Sequence, residues 1–192
     1  MSCPKEIQEL HNCLSPEQCS LIIEQTRPLL TPAKVGMSYL RTLHPARNAL
    51  NYKVRLDTDW SLSLRKRAAE LANVELGRVE NVEVICYQPG GYYYAHNDGV
   101  DRTHTLSVYL SDQYLGGDLY FTKLKALFLK IPVGTGLFFE NNSRMRHECR
   151  TVVSGEKWLL TAWVNKWNIE ERKLSGRDPK DPTPQPSSIL LP

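Results

Sequence analysis

His96 and Asp98 stand two residues apart in the stretch YQPGGYYYAHNDG, just after a Pro-Gly-Gly turn signal. In a strand, side chains at i and i+2 leave the same face, so the imidazole and the carboxylate can converge on one point. An HxD pair alone is a weak signal, because many such pairs are accidents of sequence. A third donor would give it meaning, and the chain holds five histidines. His11 sits near a helix start and His44 precedes a proline. His104 alternates with Leu106 and Val108, the setting of a packed or hydrogen-bonded histidine. His147 remains, in the polar stretch NNSRMRHECR. Two imidazoles and one carboxylate form a facial donor set that leaves metal positions open, the pattern of non-haem Fe(II) oxygenases. A four-ligand structural zinc site would call on cysteines instead.

The five cysteines (Cys3, Cys13, Cys19, Cys86 and Cys149) are odd in number and form no CxxC pair. Neither a disulfide framework nor a zinc ribbon is favoured, and a reducing, intracellular setting is expected. The N-terminal MSCPKEIQEL lacks the apolar run of a signal peptide, so cytoplasmic localisation is expected. No stretch approaches about eighteen consecutive apolar residues, so no membrane span is expected. A formal net charge of +3 gives no reason to expect a nucleic-acid partner.

These candidates need elements to position them. Ser15-Pro16-Glu17-Gln18 reads as a helix start, with Ser as N-cap, Pro at the first helical position and Gln closing a capping box. That helix should fail near Pro28. A second helix is expected from Asp59 through WSLSLRKRAAELA, with Leu62, Ala69 and Leu71 among its buried residues. After residue 80 the character changes to short apolar or alternating runs (VEVICYQ, THTLSVYL, LFLKI, GLFFE, WLLTAWV) punctuated by glycine pairs. Such spacing predicts a β-sandwich or double-sheet barrel. In THTLSVYL, His104, Leu106, Val108 and Leu110 should share one face, and Thr103, Thr105, Ser107 and Tyr109 the other. Residues 1–171 read as one domain, and 172–192 as a flexible proline-rich tail too polar to fold alone. The fold class expected is therefore α+β, mainly β.

From about Ser15 to Trp167 the chain resembles the prolyl 4-hydroxylase-like branch of the 2-oxoglutarate- and Fe(II)-dependent dioxygenases. The matching text is YQPGGYYYAHND, RTHTLSVYLSD, GGDLYF, IPVGTGLFFEN and RHECRTVVSGEKWLLTAWV. The resemblance implies a double-stranded β-helix, or jelly roll, with supporting N-terminal helices. It implies Fe(II) on His96, Asp98 and His147. Lys157, ten residues after His147, would pair with the far carboxylate of 2-oxoglutarate, and Tyr87 would hydrogen-bond the same cosubstrate. A buried carboxylate needs a charged partner, and an ammonium on a long stem can supply one. O2 would be the second cosubstrate and ascorbate a reductant. Relatives that halogenate lack the carboxylate, so Asp98 makes hydroxylation the expected outcome, with succinate and CO2 released.

Substrate contacts are less legible. By period-2 counting Tyr92 and Tyr94 share a face with His96, and Thr161 and Trp163 share one with Lys157, so these are candidates to line the pocket. Arg102, four residues after Asp98, is either a substrate contact or a surface arginine. Residues 31–67 carry Lys34, Arg41, Arg47, Lys53, Arg55, Arg65, Lys66 and Arg67 against Asp57 and Asp59. A basic segment over the site would favour a carboxylate-bearing small molecule or short peptide; a solvated basic helix face is the plainer reading. Arg144 and Arg146 beside His147 are further carboxylate-binding candidates. Two other classes stay open on residues alone: a jelly-roll binding module that holds no iron, and a cupin-type metalloenzyme indifferent to Lys157.

Overall fold

The structure, a computed structural model, describes residues 3–35, 43–55 and 57–169. The expected tail at 172–192 and Arg41 of the basic segment lie outside the described residues. The strands are β1 (Ile7–Leu10), β2 (Thr31–Pro32), β3 (Arg47–Asn48), β4 (Leu50–Lys53), β5 (Glu83–Tyr87), β6 (Tyr92–His96), β7 (Arg102–Tyr109), β8 (Tyr114–Gly116), β9 (Leu119–Phe121), β10 (Ala126–Phe128), β11 (Gly136–Glu140), β12 (His147–Cys149), β13 (Val152–Gly155) and β14 (Lys157–Asn165). Helix α1 (Pro16–Thr26) follows β1, and α2 (Asp59–Leu71) follows β4.

Both helices start where their caps dictate. The Ser15 hydroxyl accepts from the Gln18 amide at 3.2 Å, and the Gln18 side chain accepts from the Ser15 amide at 2.8 Å. That reciprocal pair satisfies two donors that a helix start leaves unpaired. α1 gives way after Thr26 to a 3-10 turn at Arg27–Leu29 that contains Pro28. α2 is capped by Thr58, with Ser61 closing the box. Its buried side chains are Ser61, Leu64, Ala68 and Ala69. Of the residues expected there, Ala69 is buried, while Leu62 and Leu71 are only half-buried. The face that meets the sheet is rotated towards Leu64 and Ala68, which the 3.6-residue period places with Ser61.

A seven-stranded antiparallel sheet in the order β1-β11-β7-β14-β5-β4-β2 faces a five-stranded sheet, β10-β9-β12-β6-β3, with β8 and β13 pairing separately. This is the jelly-roll arrangement of a mainly β fold with helices on one side. The LFLKI run contributes only Leu127 and Phe128 to a strand, because its partner β9 begins at Leu119, opposite Phe128, and the pairing ends there.

Alternation along the central strands separates the two jobs of the large sheet. Leu106 and Val108 of β7, with Trp158, Leu160, Ala162 and Val164 of β14, pack outward against Ile22, Leu64 and Ala68 of the helices. The intervening residues turn inward and line a cavity between the sheets: Thr105, Ser107 and Tyr109 from β7, and Lys157, Thr161 and Trp163 from β14. All nine residues of β14 are therefore buried. The expected split of THTLSVYL holds along this strand. His104 stacks flat on Phe138 on the helix-facing side, with ring centroids 5.3 Å apart.

Candidate active site

β6 and β12 run antiparallel, with His96 opposite His147 and Tyr93 opposite Cys149. Two residues therefore intervene on β6 where one intervenes on β12, which is a β-bulge. A single extra residue reverses which side chains face inward. So Tyr93, not Tyr92 or Tyr94, shares the cavity face with His96, and its ring stacks on that imidazole at 3.6 Å. The expectation that Tyr92 and Tyr94 line the pocket is overturned by this bulge. Those two rings stack on each other outside, 4.7 Å apart, with Tyr94 60% exposed and the Tyr92 hydroxyl donating to the Pro45 carbonyl.

His96, Asp98 and His147 each offer one donor atom, and these atoms lie within 4.8 Å of one another. His96 Nε2 is 3.7 Å and His147 Nε2 3.9 Å from the same Asp98 oxygen, Oδ1. The other ring nitrogens are occupied: His96 Nδ1 lies 2.9 Å from the Tyr94 carbonyl, and His147 Nδ1 lies 3.0 Å from the Met145 carbonyl. A carbonyl only accepts, so each Nδ1 carries the proton and each Nε2 presents its lone pair inward. The second Asp98 oxygen accepts from Thr105 Oγ1 at 2.7 Å, and Thr105 in turn accepts from Asn141. Burial alone would raise the Asp98 carboxyl, but His147, His96 and the Thr105 hydroxyl together hold it well below the usual carboxylate range. Burial pushes the His147 imidazole down, against the pull of Asp98. Two imidazoles and one carboxylate, converging on one point with a fixed outer shell, suit a divalent iron with open positions.

The cavity, about 250 Å³, runs from this cluster to Lys157. Lys157 is 2% exposed, and its ammonium donates to the Gly117 carbonyl at 2.6 Å and to Cys149 Sγ at 3.4 Å. Three tyrosine rings surround it: Tyr109 at 5.3 Å, and Tyr87 and Tyr114 each at 5.9 Å from centroid to Nζ. Among the described residues no carboxylate pairs with it. A buried ammonium without a counter-charge is costly unless an anion arrives, so this end of the cavity is built for an anionic group. Gly117 must be glycine here: its φ is +67°, and a Cβ would lie 2.9 Å from Val152 and 3.2 Å from the Lys157 stem. Tyr87 lies directly opposite Lys157 in the β5–β14 register and lines the cavity. Burial raises its phenol, so it is a neutral hydrogen-bonding group.

The opposite end of the cavity is lined by Lys34, Arg47, Glu83, Tyr93, Arg102 and Trp163. Arg102 is neither a surface arginine nor a free substrate hook. Its guanidinium grips Glu80 at 2.7 and 2.9 Å, donates to the Asp98 carbonyl at 3.1 Å and covers the Trp163 ring at 3.7 Å. The indole Nε1 of Trp163 and Nε of Arg47 are buried, with no hydrogen-bond partner among the described residues. Of the basic segment, only Lys34 and Arg47 reach the cavity among the described residues. Lys53 pairs with Glu80, Arg65 with Asp57 and Arg67 with Glu70. Arg144 pairs with Glu6, and neither it nor Arg146 lines the cavity: the 3-10 turn at Ser143–Met145, before His147, carries both outside it.

The profile described as the 2OG-Fe(II) oxygenase superfamily matches residues 82–165, the stretch that carries every residue just described from β5 to β14. Over this stretch the chain is similar to the 2OG-Fe(II) oxygenases, and its relatives are prolyl 4-hydroxylases. It is 25% identical to Prolyl 4-hydroxylase 1 of Arabidopsis thaliana over 82% of this chain and 68% of that one. A Putative prolyl 4-hydroxylase of Acanthamoeba polyphaga mimivirus is also 25% identical, over 86% of this chain and 74% of its own length. Among solved structures, the viral collagen prolyl hydroxylase of Paramecium Bursaria Chlorella virus-1, in its 2OG complex, superposes with a TM-score of 0.68 at 26% identity. That match covers 84% of this chain and 96% of that one. The three-donor cluster fits Fe(II), and the buried Lys157 ammonium fits a carboxylate of 2-oxoglutarate.

Sequence reasoning missed Tyr93, Thr105 and Cys149 as cavity residues. Thr105 was within reach, since it lies on the polar face of an alternating strand. Tyr93 was not, because nothing in YYYAH marks the extra residue. Cys149 follows the same bulge, as the partner of Tyr93.

Proposed function

We propose that this protein is an oxygenase that hydroxylates an unactivated C–H of a prolyl or similar amino-acid residue in a short peptide. His96, Asp98 and His147 would hold the iron through Nε2, Oδ1 and Nε2. Lys157 would take the far carboxylate of 2-oxoglutarate, with the Tyr87 phenol beside it. With iron, 2-oxoglutarate and O2 bound, the site supplies the oxidising equivalent that converts C–H to C–OH and releases succinate and CO2. The chain's own part is to orient and exclude water. Thr105 and Arg102 fix Asp98 by side chain and backbone, the stacked Tyr93 fixes His96, and Leu137 and Phe139 form an apolar wall.

One observation carries the reading: a three-donor cluster and a buried, unpaired ammonium share one cavity. Support for a peptide or carboxylate-bearing substrate comes from the other end. There Lys34, Arg47 and Arg102 line the cavity, against one acid, Glu83, which pairs with Arg47 at 3.7 Å, so the net field is positive and favours a carboxylate or carbonyl-bearing group. The relatives' names, prolyl and collagen prolyl hydroxylases, favour peptidyl proline within that class.

The test begins with anaerobic titration of Fe(II)-loaded protein with 2-oxoglutarate, followed in the visible metal-to-ligand charge-transfer region. Admission of O2 with proline-rich peptides follows, with succinate and peptide mass as readouts. A band, coupled succinate release and one added oxygen on proline support the proposal. A band with succinate but no modified peptide would move the substrate to free amino acids. No band in folded, iron-loaded protein would overturn the cosubstrate assignment for these residues.

A further inference from the structure

Hydroxylation has no use for Cys149. It is buried, it lines the cavity, and its sulfur lies 3.4 Å from the ammonium that awaits 2-oxoglutarate. Its remaining contacts are weak ones to the carbonyls of Gly117 and Arg150, at 3.7 and 3.6 Å. Cys19 and Cys86 are also buried free thiols, but neither lines the cavity.

We propose that Cys149 and Lys157 form an oxidative S–O–N cross-link when the 2-oxoglutarate end of the cavity is empty, and that this bridge shuts the enzyme off reversibly. The consequence for 2-oxoglutarate rests on the reading of Lys157 given above.

The step balances with O2, which the enzyme's own reaction brings into this cavity. One thiol, one ammonium and one O2 give one S–O–N bridge, one water and one proton. The S–H bond and two N–H bonds break, and S–O and O–N bonds form. Sulfur and nitrogen each lose two electrons, and O2 gains all four. One oxygen stays in the bridge and the other leaves as water.

Geometry favours this pair. Lys157 is the amine in contact with Cys149, and the Gly117 carbonyl and three tyrosine rings hold its stem and head in place. Among the described residues no carboxylate draws the ammonium away. The two residues sit on neighbouring walls, Cys149 at the end of β12 and Lys157 at the start of β14. A bridge would replace a three-donor cation with a neutral N–O group. A carboxylate arriving there would then be buried without its charge partner, which is strongly unfavourable. Bound 2-oxoglutarate would engage the ammonium and protect it.

The experiment uses the full chain, stripped of metal and aged in air-saturated buffer with or without excess 2-oxoglutarate. Trypsin digestion without reductant precedes mass spectrometry. In unmodified protein trypsin cuts after Lys157. The expected product joins residues 147–150 to residues 151–166 uncut at Lys157, with two hydrogens fewer and one oxygen more than the sum. It should be absent from Cys149→Ser and Lys157→Arg, suppressed by 2-oxoglutarate and reversed by dithiothreitol with recovery of 2-oxoglutarate binding. A free Cys149 thiol, or a sulfinic Cys149 beside a Lys157 that trypsin still cuts, would overturn the inference. Titration of the reduced protein separates the two claims. Binding without a bridge sinks the cross-link alone. A bridge in protein that never binds 2-oxoglutarate when reduced sinks the switch together with the cosubstrate role of Lys157.

Discussion

Lys157 and Thr105 each carry a claim that a single substitution tests. Truncating Lys157 to Ala leaves the arriving carboxylate buried without a charge partner, a loss of about 3–5 kcal/mol for a buried pair. The expected result is that half-saturation of the charge-transfer band by 2-oxoglutarate rises by about a hundredfold or more, with Arg restoring part of it. An unchanged midpoint would remove Lys157 from the cosubstrate site. Thr105 donates to the Asp98 oxygen that does not face the histidines. Thr105→Val keeps the shape and removes that bond, so Fe(II) or Co(II) affinity should fall by about 10–100-fold, the usual cost of losing an outer-shell partner. Calorimetric titration with Co(II) reads it directly. At this scale the sequence was informative wherever chemistry restricts residue type. Few side chains bind iron, so His96, Asp98 and His147 stood out by elimination and family pattern. Tyr93 did not, because its inward turn depends on one unpaired residue in β6.

The elements were legible in proportion to how local their causes are. The α1 start is written in four residues, and Ser15→Ala should cost about 1 kcal/mol, read as a lower urea midpoint with an unchanged slope. The face of α2 was harder, because Leu62 and Leu64 are equally apolar and only the approach angle to the sheet selects Leu64. Gly117 shows an element-scale constraint with a functional consequence. A side chain there must adopt a left-handed φ and displace either Val152 or the Lys157 stem. Gly117→Ala should therefore lower the unfolding midpoint by the equivalent of about 1–2 kcal/mol. It should also weaken 2-oxoglutarate binding, whereas Gly90→Ala, in a turn where a Cβ would meet nothing within 4 Å, should leave that binding unchanged. Equal effects at the two glycines would mean that only backbone strain matters.

Across the whole molecule, Glu80 ties together the ends of three strands that are far apart along the chain. It accepts from Arg102 at the start of β7, from Lys53 at the end of β4 and from Asn165 at the end of β14. Arg102 carries the connection on to the Asp98 backbone. No local pattern announces such a hub, because its partners lie 22, 27 and 85 residues away. Burial alone would raise the Glu80 carboxyl, but Arg102 and Lys53 bring it down from 4.5 to about 2. A folded value below the ordinary one means that ionised Glu80 stabilises the fold. That contribution is complete above pH 4.5 and disappears as the pH falls towards 2. The shift corresponds to about 3 kcal/mol at neutral pH. Urea unfolding measured from pH 6 down to about 3 should show stability falling steeply with acid in the parent protein. Glu80→Gln removes this titration, so its stability should be lower near neutral pH and flatter across the acid limb. A variant curve parallel to the parent's would place the acid sensitivity elsewhere and reduce Glu80 to one contact among many.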